Sequence, residues 1–122
     1  MIPLQKTFDT VVAHLRKQNK KSIKVDVNGA DYCVYLAEDG SKCAAGCLIK
    51  PEDYNESFEG CAVVSLGGQP SNVGLLLQEY GYDLELVRAL QRAHDNFKPQ
   101  GWETMFQLIA KEFKLTYVPK TN

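Results

Sequence analysis

The sequence predicts an α+β fold: a small antiparallel sheet packed with four to five helices in a single domain of 122 residues. Three observations carry that expectation. Apolar residues recur at helical spacing in several separate segments. Ile-Lys-Val-Asp-Val, residues 23–27, alternates strictly and runs into Asn28-Gly29, the dipeptide that best tolerates the positive φ angles of a tight hairpin turn. A chain of this length also buries roughly two-thirds of its unfolded surface, so neither a disulfide nor a metal is needed to make a core.

Phe8, Val11, Val12 and Leu15 share one helical stripe and Pro3 suits a first turn, which predicts a helix over Leu4–Gln18. Residues 23–27 and 31–37 make the two strands of a hairpin spanning 23–37. Asp39-Gly40 ends the second strand, and Ser41 caps a short helix from Lys42 that Pro51 brings to a stop. The acidic segment 51–60 reads as a surface loop, and residues 61–66, Cys-Ala-Val-Val-Ser-Leu, as a buried third strand. Gly67 and Gly68 break it. Ser71 or Asn72 caps a helix ending at Tyr80, with Gly81 as its stop. Asp83 caps the next helix, whose stripe is Val87, Leu90, His94 and Phe97. A last helix follows Pro99 and buries Trp102, Met105, Phe106, Ile109 and Phe113, and residues 116–122 read as a loose tail.

Composition narrows the function classes. Hydrophobic and charged shares of 44% and 24% are those of an ordinary soluble chain, which excludes intrinsic disorder. A net charge of −1 speaks against a dedicated nucleic-acid binder. No apolar run approaches the roughly 20 residues of a membrane helix, and no signal-peptide pattern opens the chain, so a reducing cytoplasm is expected. Cys33, Cys43, Cys47 and Cys61 are then thiols.

These cysteines admit three roles. Structural zinc favours ligand pairs two residues apart, whereas the intervals here are nine, three and thirteen residues, so no metal site is expected. A thiol enzyme would use Cys43 as nucleophile, its thiolate favoured by the N-terminus of the helix that Ser41 caps. His94 would be the base. Asp95 follows it immediately and points about 100° away on a helix, so Asp83, Asn96 or a backbone carbonyl would have to orient the ring. The third role is packing: small buried thiols among Ala44, Ala45 and Gly46, with Cys33 and Cys61 in strands. Packing is the prevailing expectation.

Tyr32-Cys33, the run Lys42-Cys43-Ala44-Ala45-Gly46-Cys47-Leu48-Ile49 with Pro51, Tyr54, Glu59-Gly60 and Leu90-Gln91-x-x-His94-Asp95 together resemble a group of small uncharacterised proteins encoded by bacteriophages. The likeness spans the chain from first helix to last. It implies a phage or prophage source and the bacterial host cytoplasm. It supplies no activity, catalytic residue or ligand.

Two further places invite binding. In Val-Val-Ser-Leu-Gly-Gly-Gln-Pro-Ser-Asn-Val-Gly, residues 63–74, Gly67, Gly68, Ser71 and Asn72 stand at a strand-to-helix junction where backbone N–H groups can hold a phosphate, with Lys42 as basic help. The spacing matches neither the P-loop nor the dinucleotide fingerprint, and a capped polar turn explains it equally. Arg16, Lys17, Lys20, Lys21 and Lys24 gather after the first helix, where cations complement the helix dipole; they also suit phosphates or an acidic protein surface. Tyr54 and Phe58, set among acidic residues, suit a protein contact. At three residues apart, Tyr32 and Tyr35 face opposite ways, and the exposed one could stack on a base.

The function expected is therefore binding without catalysis and without a cofactor. The partner would be a host bacterial protein, inhibited as a host-defence factor, or a phosphate-bearing signal molecule that the protein sequesters. The alternatives are a thiol enzyme using Cys43 with His94, and a nucleic-acid accessory protein using the basic cluster. Strands 23–27 and 31–37 could also pair with a second copy.

Overall fold

A computed structural model describes residues 1–121. Four helices and one hairpin make up its regular structure: α1 (Leu4–Gln18), β1 (Ile23–Val25), β2 (Asp31–Cys33), α2 (Asn72–Tyr80), α3 (Leu84–Asn96) and α4 (Trp102–Phe113). The α+β class and the antiparallel sheet are as the sequence predicts. None of the helices is long and apolar enough to cross a membrane.

The core is helical. Phe8, Val11, Val12 and Leu15 of α1 face Leu86, Val87, Leu90 and Ala93 of α3, which in turn packs against Trp102, Phe106, Ile109 and Ala110 of α4. Each large side chain so buried stabilises the fold by about 1.5–3 kcal/mol relative to exposure. The boundaries follow local chemistry. Ser71 Oγ accepts the Gly74 N–H at 3.3 Å to cap α2, and Gly81 ends that helix at φ 101°. Asp83 accepts the Leu86 N–H at 3.1 Å to cap α3.

Four expectations need correction. Residues 61–66 do not join the sheet as a third strand; only Val64 pairs, in an isolated bridge with Pro70. No α-helix starts at Lys42. That residue pairs with Leu36, and a single 3-10 turn, Gly46–Leu48, follows, because a Cβ at Gly46 would stand 2.0 Å from the Tyr35 carbonyl oxygen and the backbones touch there. Phe97 leaves the apolar stripe: α3 has ended, and the ring is 41% exposed while its carbonyl accepts the Trp102 indole N–H. The tail is not loose at its start. Gln5 exchanges two hydrogen bonds with the Thr116 backbone at 2.8 and 3.0 Å, and Tyr117 and Val118 bind Glu103 and Arg16. Asn122, the last residue of the expected tail, lies outside the described residues.

The hairpin turn is also longer than Asn28-Gly29 alone. Asp26 Oδ1 accepts the N–H groups of Asn28 and Ala30 at 2.8 and 3.0 Å, and only Gly29 takes positive φ. Every residue of β1 and β2 is exposed except the half-buried Cys33, so the hairpin stands off the core.

Candidate functional site

An open cleft of about 610 Å³ lies between the hairpin side of the molecule and α3. Residues 32–35, 60–64 and Leu66 form one wall, with Tyr32 and Leu66 exposed at the mouth. Buried Val63, Tyr35 and Cys43 give it an apolar floor. Arg88, Gln91, Arg92 and Asp95 line the opposite wall. Their spacing of three, one and three residues keeps them on one side of α3, and seven residues at 1.5 Å set Arg88 and Asp95 about 10 Å apart along the axis.

Hydrogen bonds fix one end of that wall. Asp95 Oδ1 accepts from Gln91 Nε2 and from His94 Nδ1, each at 2.8 Å. Gln91 Oε1 accepts the Ala45 N–H at 2.8 Å, tying α3 to the alanine turn. His94 is fully buried, its ring stacked on Trp102 at 5.7 Å, and its Nε2 accepts the Ser22 N–H at 3.0 Å. A backbone N–H can only donate, so Nε2 is bare and the ring proton sits on Nδ1. Asp95 thus orients its own neighbour, which the expected 100° divergence had ruled out.

This wiring answers both chemical readings of the cysteines. Cys33, His94 and Asp95 are the one group of metal-type donors close together among the described residues, their ligand atoms within 4.8 Å. Binding a metal there would require stripping the Nδ1 proton or the Ser22 bond, and ionising a thiol that burial and the Asp95 charge push up to about 11. The set is a hydrogen-bonded strut. For the nucleophile, Cys43 is 1% exposed and its sulfur accepts the Gly46 N–H at 3.3 Å. Burial raises its thiol far above the ordinary range, only the short 3-10 turn Gly46–Leu48 and no α-helix N-terminus adjoins it, and both nitrogens of His94 are committed elsewhere. Burial likewise pushes Cys47 up to about 12. All four cysteines are free thiols, and only Cys61 is exposed.

The other expected sites are brought to different places. Gly67 and Gly68 form a reverse turn in which the Gly68 N–H is spent on the Ser65 carbonyl at 2.9 Å. Ser71 is consumed as the α2 cap, and Asn72 is the first residue of that helix. Lys42 is held on the α1 side, its carbonyl accepting from Gln18 and contacting His14. Of the basic cluster, Arg16 grips Glu103 through two bonds of 3.0 and 2.7 Å, Lys20 pairs with Asp39, and Lys21 donates to the Asp95 carbonyl. Lys17 and Lys24 alone have no polar partner among the described residues. Phe58 is buried edge-on to Tyr54, whose hydroxyl donates to Glu59 at 2.7 Å, so both aromatics serve the fold. Tyr32 is exposed and Tyr35 buried, as their spacing predicts.

Sequence reasoning missed Arg88, Arg92 and Gln91. Arg88-x-x-Gln91-Arg92-x-x-Asp95 on the polar side of α3 was the available signal. No carboxylate of the described residues comes within ion-pair distance of either arginine, although both also line a second groove with Glu85 and Glu112. Compared with known proteins, the chain matches no family model, no curated protein and no solved structure.

Proposed function

We propose that the protein acts by binding, and that its cleft takes a phosphate-bearing small molecule with a planar, hydrogen-donating head. One observation carries this reading: Arg88 and Arg92, one helical turn apart and without a carboxylate partner, line an apolar cleft of about 610 Å³. That volume falls within the range of small-ligand pockets. Unpaired guanidinium groups beside apolar walls attract phosphate, which they hold through paired N–H donors. Asp95, about 10 Å from Arg88 but only about 4.5 Å from Arg92 along the helix axis, offers acceptor oxygen to a donor such as an exocyclic amine. Tyr32 at the mouth presents a ring on which a base can stack. Nucleotides are the chemical class with those three features at that separation.

The role is sequestration: burial raises the Cys33 and Cys43 thiols of the cleft, and both nitrogens of His94 are committed to Ser22 and Asp95. In a bacterial cytoplasm, as the phage-like sequence implies, such a protein would withhold a nucleotide signal from a host system. Calorimetric titration with nucleoside monophosphates, the matching nucleosides and inorganic phosphate tests this. Nucleotides should bind and the nucleosides bind far less, and Arg88→Ala/Arg92→Ala should weaken nucleotide binding roughly a hundredfold while leaving the melting temperature in place. If no nucleotide binds, or the double variant binds as well as wild type, the assignment is wrong.

A further inference from the structure

We infer that the free edge of β1 pairs with β1 of a second copy in one register, antiparallel and centred on Val25. The backbone sets the edge. Asp26 N–H bonds Ala30 O and Val34 N–H bonds Ser22 O, with Lys24 opposite Tyr32 between them. Backbone groups of Ser22, Lys24 and Asp26 therefore point into the hairpin, and those of Ile23 and Val25 point out of it. Among the described residues, nothing bonds the outward N–H and C=O groups of Ile23 and Val25.

The side chains choose the occupant. Residues 23–27, Ile-Lys-Val-Asp-Val, are complementary to themselves when reversed. About a two-fold axis at Val25, Val25 meets Val25 and Lys24 meets Asp26 twice, while Ile23 reaches toward Val27 in the partner's turn. The outward backbone groups of the two Val25 residues then fall opposite each other as a hydrogen-bonded pair. Any one-residue slip sets charge against an apolar side chain and loses that match. The exposures agree: Val25 is 57% exposed, an unusual cost for an aliphatic side chain on a strand that packs against nothing. Among the described residues Lys24 has no ion-pair partner, and Asp26 spends Oδ1 on the turn, leaving Oδ2 for the incoming lysine.

The other edge of the hairpin is shorter for a further copy. The Tyr35 N–H, next in the outward series of β2, is capped by the Glu59 carboxylate at 2.9 Å. The cleft is lined from the β2 side and by none of residues 23–27, so pairing leaves both clefts open.

Native mass spectrometry and sedimentation over a concentration series test the pairing. Wild type should reach twice its 13.7 kDa mass. Val25→Pro removes only an outward N–H and should give a monomer that keeps its melting temperature. Lys24→Glu and Asp26→Lys place like charges opposite each other and should each be monomeric. Their equimolar mixture should recover a heterodimer, because each new charge then meets its opposite. Should Val25→Pro or Asp26→Lys unfold, Lys24→Glu decides alone, since that exposed side chain has no partner among the described residues. A wild type that stays monomeric at its highest attainable concentration, or a dimer that Lys24→Glu leaves intact, overturns the inference.

Discussion

The Asp95 carboxylate accepts a hydrogen bond from Nδ1 of the residue directly before it, His94, at 2.8 Å. Adjacent helical side chains diverge, but Nδ1 is the ring nitrogen nearest its own backbone, and a carboxylate at the end of α3 can fold back to it. With Nε2 accepting from Ser22, the ring joins α3, the start of the hairpin and Trp102. His94→Ala should remove the ring, orphan the buried Ser22 N–H and leave a cavity. The expected loss is about 3–5 kcal/mol, read as a lower urea midpoint. A variant within 1 kcal/mol of wild type, on the same order as a single surface change, would mean the strut carries no weight.

Gly46 and Gly67 should respond oppositely to the same change. A Cβ on Gly46 would sit 2.0 Å from the Tyr35 carbonyl oxygen, a backbone atom that cannot swing aside. Gly46→Ala should cost about 3 kcal/mol or more. At Gly67 the nearest atom would be Ser65 Oγ at 3.9 Å and φ is not positive, so Gly67→Ala should be nearly neutral. Thermal melts of the two variants side by side check both.

Thiol burial gives the protein an alkaline limit. An unfolded thiol loses its proton near 9, whereas folded Cys33 holds it to about 11 and Cys47 to about 12. Above pH 9 the unfolded chain therefore binds fewer protons than the folded one, so stability falls as pH rises. The loss should run from about 9 through 11 and continue to 12. Labelling with iodoacetamide should follow the same order, with exposed Cys61 first and Cys43 modified only on unfolding. At pH 8 Cys33 should therefore be thiolate only in a small fraction. Asp95→Asn should raise that fraction by removing the negative charge that helps hold the proton on. Unchanged Cys33 reactivity in Asp95→Asn would leave burial as the sole cause.

Elements with local signals were legible in the sequence. The α1 stripe, the Asp83 and Ser71 caps, the Gly81 stop and the hairpin all follow from residues within one turn of each other. What failed was long-range. Residues 61–66 have the apolar run of a strand, but their partners are side-chain and turn groups: Tyr35 Oη bonds the Cys61 carbonyl at 2.5 Å, and the Val63 carbonyl accepts from the Ser71 backbone and hydroxyl. Glu59 looks like one more acidic loop residue until its two oxygens are seen to receive the N–H groups of Tyr35 and Leu36, standing in for a neighbouring strand. The cleft was illegible for the same reason, since Arg88 and Tyr32 are brought to the same cleft only by packing. The basic cluster was legible as charge but not as structure, because Glu103, the partner of Arg16, lies 87 residues away.

That distant pair sets the acid limit. Arg16 holds the Glu103 carboxylate through Nε and a second guanidinium nitrogen, and Tyr117 donates to the same carboxylate at 2.6 Å. The hydrogen bonds from Arg16 keep the Glu103 carboxyl below its ordinary 4.5. A depressed carboxyl contributes stability that is present above its unfolded pKa and lost as pH falls through the folded one. The contribution should therefore be intact at neutral pH and begin to fade near 4.5. Glu103→Gln should cost about 1 kcal/mol at pH 7, modest because both side chains are partly solvated. The gap between variant and wild type should close as the carboxyl is protonated. Tyr117→Phe, which keeps the ion pair, should lose less and retain the acid dependence. Urea unfolding of the three proteins at several pH values measures this directly, and a gap that stays constant into acid would assign the loss to packing of the tail instead of charge.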